Sequence, residues 1–178
     1  MSTLRHITVC IVALCACIAL RAGDFSAGLF SSPKGFGLSL DYDTGGSILN
    51  SYTLYADIYG IPGDRFNDPG TKFVFSHYNL LGRVEKDDVL LSFWLGPGVS
   101  LGRVRDSGKG RSFGNAASVN CAASIRLQYS RRICVDLGFN LELGFFGDSN
   151  GRDYEITIYN NGIRQSWYPQ VKILYEFR

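Results

Sequence analysis

Apolar and polar residues alternate with a period of two through most of the chain beyond residue 30, and a chain patterned this way folds as strands with two unlike faces. Gly35 to Asp43 sets Phe36, Leu38, Leu40 and Tyr42 against Gly37, Ser39 and Asp41. Ser51 to Tyr59 sets Tyr52, Leu54, Ala56 and Ile58 against Thr53, Tyr55 and Asp57. Val89 to Leu101, Val119 to Tyr129, Ile133 to Phe145 and Trp167 to Phe177 repeat the pattern, the last with Trp167, Pro169, Val171, Ile173, Tyr175 and Phe177 opposing Tyr168, Gln170, Lys172, Leu174 and Glu176. Thr71 to Gly82 is apolar on both faces, so its phase stays open. No segment after residue 22 carries a comparable 3.6-residue period, and the expectation is an all-β fold without helix.

The strand phases constrain partners. Cys121 falls on the apolar face of its strand and Cys134 on the polar face of the next, so the two cannot form a disulfide if the strands are neighbours. Matching apolar faces across Tyr129 and Ile133 demands an odd connection, Ser130-Arg131-Arg132, which sets Arg126 opposite Asp136. Asn161-Gly162 is a strong two-residue hairpin signal, and pairing Asn160 with Ile163 brings Ile156 opposite Trp167.

Residues 1–22 read as an export signal: Arg5 precedes the apolar run Ile7 to Leu20, and Leu20-Arg21-Ala22 offers a cleavage site. The run of 14 is short of the roughly 20 residues that a spanning helix needs. Cleavage after Ala22 would leave residues 23–178 as one domain. Cys10, Cys15 and Cys17 would go with the leader, and 16 Lys and Arg would then face 16 Asp and Glu, since Arg5 and Arg21 are lost from 18. Signs are interspersed, as in Arg103-Val104-Arg105-Asp106, so nothing resembles the clustered cations of a nucleic-acid surface.

Half-apolar strands close either around an apolar core or with the apolar face turned to lipid around a polar lumen. Isolated charges on the small-residue faces, Asp41, Asp57, Arg126, Asp136, Glu142, Lys172 and Glu176, suit a narrow interior filled by a polar network. Aromatics toward the run ends (Tyr42, Tyr52, Tyr129, Phe145, Trp167, Tyr175, Phe177) suit interfacial girdles. The expected architecture is an antiparallel up-and-down transmembrane β-barrel of about eight strands.

Tyr168 to Phe177 resembles the terminal strand of small Gram-negative outer-membrane β-barrels, although Arg178 follows the aromatic that usually ends the chain. Leu95-Gly96-Pro97-Gly98-Val99-Ser100-Leu101-Gly102 is similar to the glycine-rich strand of OmpA- or OmpX-like "porin family" barrels. The resemblance implies outer-membrane localisation, lipid as surroundings, recognition of the last strand by the barrel-assembly machinery, and a monomer. Long loops face outward in such barrels. That rule favours counting Asp24 to Phe30 as the first strand, with Asp153 to Gln165 a hairpin above the membrane and the loops 60–70 and 106–117 outside.

Chemistry is sparse. A barrel lipid A deacylase would place a serine two residues after its histidine, where Asn79 follows His77, and Ser76 lies on the other strand face. Cys121, Cys134 and His77 lack zinc-ligand spacing. Gly96-Pro97-Gly98 lies within a strand without the following helix of a phosphate loop. Loop 60–70, with Asp64, Arg65 and Asp68, is a recognition surface or a solvated connection. No catalytic, metal or cofactor site is expected, and the reading is a non-enzymatic outer-membrane barrel with a structural or surface-interaction role. A secreted or periplasmic lipocalin-like ligand-binding barrel and an outer-membrane lipid hydrolase are the alternatives.

Overall fold

A computed structural model describes residues 23–58, 69–86, 89–106, 112–129, 132–149, 154–159 and 167–177. These form β1 (Asp24–Ser32), β2 (Gly35–Asp43), β3 (Ile48–Asp57), β4 (Gly70–Lys86), β5 (Val89–Asp106), β6 (Ser112–Gln128), β7 (Ile133–Ser149), β8 (Tyr154–Tyr159) and β9 (Trp167–Phe177). Every pairing is antiparallel. Each strand from β1 to β7 pairs with the next, β7 continues to β9, and β9 returns to β1, which closes an eight-stranded barrel. Phe25 pairs with Phe177, so the start of β1 and the end of β9 share one rim, here the terminus end; the opposite rim is the loop end.

The eighth strand is built from two pieces. β8 pairs with Gly144 to Ser149 of β7, and β9 pairs with Ile133 to Leu141 of the same strand. Both pieces run antiparallel to β7, so they point the same way and do not fold back on each other. This corrects the hairpin expected at Asn161-Gly162: Ile156 faces Gly147 and Trp167 faces Leu141. The turn residues themselves lie outside the described residues. A local turn preference yields here to the ladder hydrogen bonds offered along the full length of β7.

β1 takes a full place in the barrel, and connections 33–34, 58–69, 107–111 and 150–153 emerge at the loop end. Connection 107–111 is shorter than the sequence pattern suggested, because Arg105 pairs with Phe113 and Asp106 with Ser112 and the ladder continues upward. Connections 44–47, 87–88 and 129–132 lie at the terminus end. In the first of these, Gly45 adopts a φ of 78° and its amide donates to Asp43 Oδ1 at 2.9 Å. That backbone region favours glycine.

β4 explains its own ambiguous pattern. The register slips between Leu80 and Gly82, and such a bulge reverses which residues point inward. Leu80 packs against the interior cluster of Leu49, Tyr78, Trp94 and Ala122, while Leu81 is exposed. Val74 and Tyr78 are also interior, so neither face of β4 is purely polar.

Burial is inverted relative to a water-soluble domain. Asp41 is 0% exposed, Glu142 1% and Lys172 3%, whereas Leu143 is 66%, Val119 61% and Leu137 55%. The apolar faces of all eight barrel strands point outward and form one continuous belt, far beyond the few hundred square ångströms that a soluble monomer usually exposes.

Candidate functional site in the barrel interior

The inward positions of β2, β6, β7 and β9 bring four charges together. Arg126 lies opposite Asp136, with Nε donating to Oδ1 at 2.7 Å and Nη2 to Oδ2 at 2.8 Å. Arg126 Nη2 also donates to Asp41 Oδ2, and Lys172 Nζ lies 3.5 Å from Asp41 Oδ1. Ser39 donates to Asp41 Oδ1 at 3.1 Å, and Lys172 to the Ser51 hydroxyl. Two cations and two anions thus balance in a site from which water is largely excluded, the condition under which buried charges are tolerated.

A second cluster sits nearer the loop end. Glu142 Oε2 accepts from Lys72 and, at 3.1 Å, from Lys34, while its Oε1 accepts from the Tyr168 hydroxyl at 3.0 Å. Asn140 Nδ2 donates to that hydroxyl at 2.7 Å, and Lys34 Nζ lies 4.3 Å above the Tyr168 ring. Lys34 belongs to the turn between β1 and β2 and reaches into the barrel from it. Burial pushes its ammonium down to about 8; Glu142 and Asp57 oppose the shift and Lys72 adds to it.

Apolar groups take up part of the remaining space. Phe30, Tyr55, Val74 and Tyr168 pack at the loop end, with the Phe30 and Tyr55 rings 5.0 Å apart. A vestibule of about 170 Å³ opens at the terminus end, lined in part by Asp24, Asp43, Arg83, Gln128 and Glu176. Gln128 Nε2 donates to Glu176 Oε2 at 2.7 Å, and Cys134 Sγ lies 3.8 Å from the same oxygen.

All seven charges read from the sequence as luminal are buried. Asp41, Arg126, Asp136 and Lys172 meet in one cluster, Glu142 anchors the other, and Glu176 stands apart near the terminus end. Asp57 is buried within the field of Lys34. Sequence reasoning missed Lys72, whose strand had no readable phase, and Lys34, which lies in a turn. Ser39, Ser51, Asn140 and Tyr168 stood on the correct faces, but one-dimensional alternation carries no information about contacts across a lumen.

The other candidates separate. His77 points outward with Nδ1 2.7 Å from Asn50 Oδ1, its direct partner on β3, whereas Ser76 is buried on the inner face. Hydroxyl and imidazole are on opposite sides of the barrel wall. Cys121 is exposed on the outer face and Cys134 is buried, both as free thiols. Among the described residues, no three His, Cys, Asp or Glu side chains converge as a metal site would require.

No known protein-family model matches the chain, and no curated protein matches it by sequence. Among solved structures, it is similar to the N-terminal β-barrel domain of Pseudomonas aeruginosa OprF, with a TM-score of 0.57 and 8% identity over 88% of this chain and 98% of that one. At that identity the likeness speaks for the fold alone, a small closed antiparallel β-barrel.

Proposed function

We propose that this protein is a non-enzymatic barrel integral to an outer membrane, with a structural or surface-interaction role, exported by means of residues 1–22. The observation that carries the reading is the inversion of burial: a closed belt of exposed apolar side chains surrounds a lumen packed with ion pairs. Lipid is the solvent in which that belt costs nothing, and the β1–β9 ladder from Phe25–Phe177 to Ser31–Val171 closes the ring. β9 is the natural recognition strand for the assembly machinery, and the belt needs only lipid around a monomer. On this reading the loop end faces outward and carries the surface-interaction role. A packed lumen counts against both a diffusion pore and a lipocalin-like ligand cup. The outward His77, on the opposite side of the wall from Ser76, counts against a lipid hydrolase.

Membrane fractionation tests the reading. The protein should remain with outer membranes through alkaline extraction and migrate faster unheated than boiled on a detergent gel. Recovery as a soluble periplasmic monomer would overturn it and restore the ligand-binding alternative. Turnover of purified outer-membrane lipids that is lost in His77→Ala would instead establish the hydrolase.

A further inference from the structure

β4 outruns its neighbour at the terminus end. The β3–β4 ladder ends at Ile48 and Asn79, the Leu80 amide donates to the Ser47 carbonyl at 2.8 Å, and among the described residues Gly82 to Lys86 pair with β5 alone. The two-residue connection 87–88 makes Lys86 and Val89 a hydrogen-bonded pair, as in hairpins of that length. By alternation Val84 also bonds to β5, and the amides and carbonyls of Arg83 and Glu85 point to the open edge. Arg83, Val84, Glu85 and Lys86 are all exposed, Val84 by 56%. The space beside the edge is open: a Cβ on Gly82, or on Gly45 or Gly46 of the β2–β3 turn, would meet nothing within 4 Å. Gly45 and Arg83 line the same vestibule.

We infer that this edge is a docking site for an extended polypeptide strand of another protein. The strand adds antiparallel to β4, in line with β3, and sets an acidic residue opposite Arg83 and a basic one opposite Glu85. A row of ladder groups selects its occupant, because another main chain presents donors and acceptors at the matching spacing. Charge sets the order. Arg83 and Glu85 are two apart and share one face, where opposite charges across a ladder attract and like charges repel. Charged side chains guard an edge against indiscriminate pairing, and with this pair of signs they admit one order and refuse its reverse. The exposed Val84 on the other face suits an apolar partner. A second copy of this chain satisfies the same order, since Arg-Val-Glu is its own antiparallel complement, but the two-fold axis would stand normal to the wall and turn the second barrel's loop end the opposite way. On the membrane reading one bilayer does not hold both orientations; the inference rests on that reading for this exclusion alone.

The test uses the folded barrel in detergent micelles and an end-capped peptide, Thr-Thr-Arg-Val-Glu-Thr-Thr, read by amide hydrogen exchange. Saturating peptide should slow exchange at Arg83 and Glu85 about fivefold, the scale of one net hydrogen bond. Val84 and Lys86, already bonded to β5, should not change. Glu85→Pro removes an edge amide without touching the β5 ladder and should abolish the protection of Arg83. Glu85→Arg should lower affinity for this peptide about threefold and raise it as much for Thr-Thr-Glu-Val-Glu-Thr-Thr. Where Glu85→Pro reduces folding, Glu85→Arg carries the test. Unchanged exchange at Arg83 and Glu85, or an unaltered preference in Glu85→Arg, would overturn the site. So would protection that grows with barrel concentration in the absence of peptide, which would give the edge to a second copy. Only the heat-modifiable, folded species of each variant is compared, and a barrel that stays in the membrane fraction yet gains no protection sinks the docking edge alone.

Discussion

Arg126 grips Asp136 across the β6–β7 ladder through two parallel hydrogen bonds, and the same guanidinium reaches Asp41 on the far side of the lumen. One side chain therefore bridges two buried carboxylates. Truncating it takes the guanidinium from Asp136 and leaves Asp41 to Lys172 alone. Arg126→Ala should destabilise the barrel by about 3–5 kcal/mol, the usual cost of removing one partner from a buried pair. Urea unfolding in detergent micelles should show this as a lowered midpoint. Lys86→Ala, an exposed change at the end of β4, should leave the midpoint within about 0.5 kcal/mol. Equal midpoints for the two variants would mean that the cluster does not hold the wall together.

Lys34 supplies a pH dependence whose sign follows from its burial. Its ammonium titrates near 8 in the folded barrel against 10.5 for an ordinary lysine. Below pH 8 both states carry the proton, and the folded state bears the full cost of a buried charge. Between pH 8 and 10.5 the unfolded chain binds more protons, so stability rises with pH and then levels off. The difference in unfolding free energy between wild type and Lys34→Met should follow that course. A flat difference across the window would refute the assignment.

Gly96 and Gly82 make a matched pair. A Cβ on Gly96 would come within 1.8 Å of the His77 carbonyl oxygen on the neighbouring strand, whereas one on Gly82 would meet nothing within 4 Å. Gly96→Ala should part β4 from β5 and cost about 1–3 kcal/mol or more. Gly82→Ala should be near neutral. Refolding yield, read as the fraction of heat-modifiable band, ranks the two variants directly.

The thiols report the inside and outside of the wall. In detergent, a small maleimide should modify Cys121 quickly and Cys134 only after denaturation. On the membrane reading Cys121 faces lipid, and a charged, impermeant maleimide should leave both thiols of intact membranes unmodified. Gel mobility should not change on reduction, because the two thiols lie on opposite faces.

Much of this wall is legible in one dimension. β5, β6, β7 and β9 alternate so regularly that their inward and outward faces, and the Arg126 to Asp136 register, follow from pattern and loop parity. β4 was not legible, because the slip between Leu80 and Gly82 changes phase within the strand and its inward face carries Val74, Tyr78 and Leu80. The split eighth strand escaped for a different reason. Asn161-Gly162 advertises a turn, while the partner that decides the outcome, β7, is specified by closure of the whole sheet. Lys34 and Lys72 escaped because their common partner, Glu142, lies 108 and 70 residues away.

The seam between β1 and β9 also dictates how the protein comes into being. Phe25 and Phe177 are neighbours in space yet about 150 residues apart along the chain. No sub-segment can complete the ring by itself, and contacts of such high order make folding slow. On the membrane reading, the belt has throughout that interval neither lipid nor a partner strand to shield it. A chain of this design depends on being held unfolded and unaggregated until its two edges are brought together.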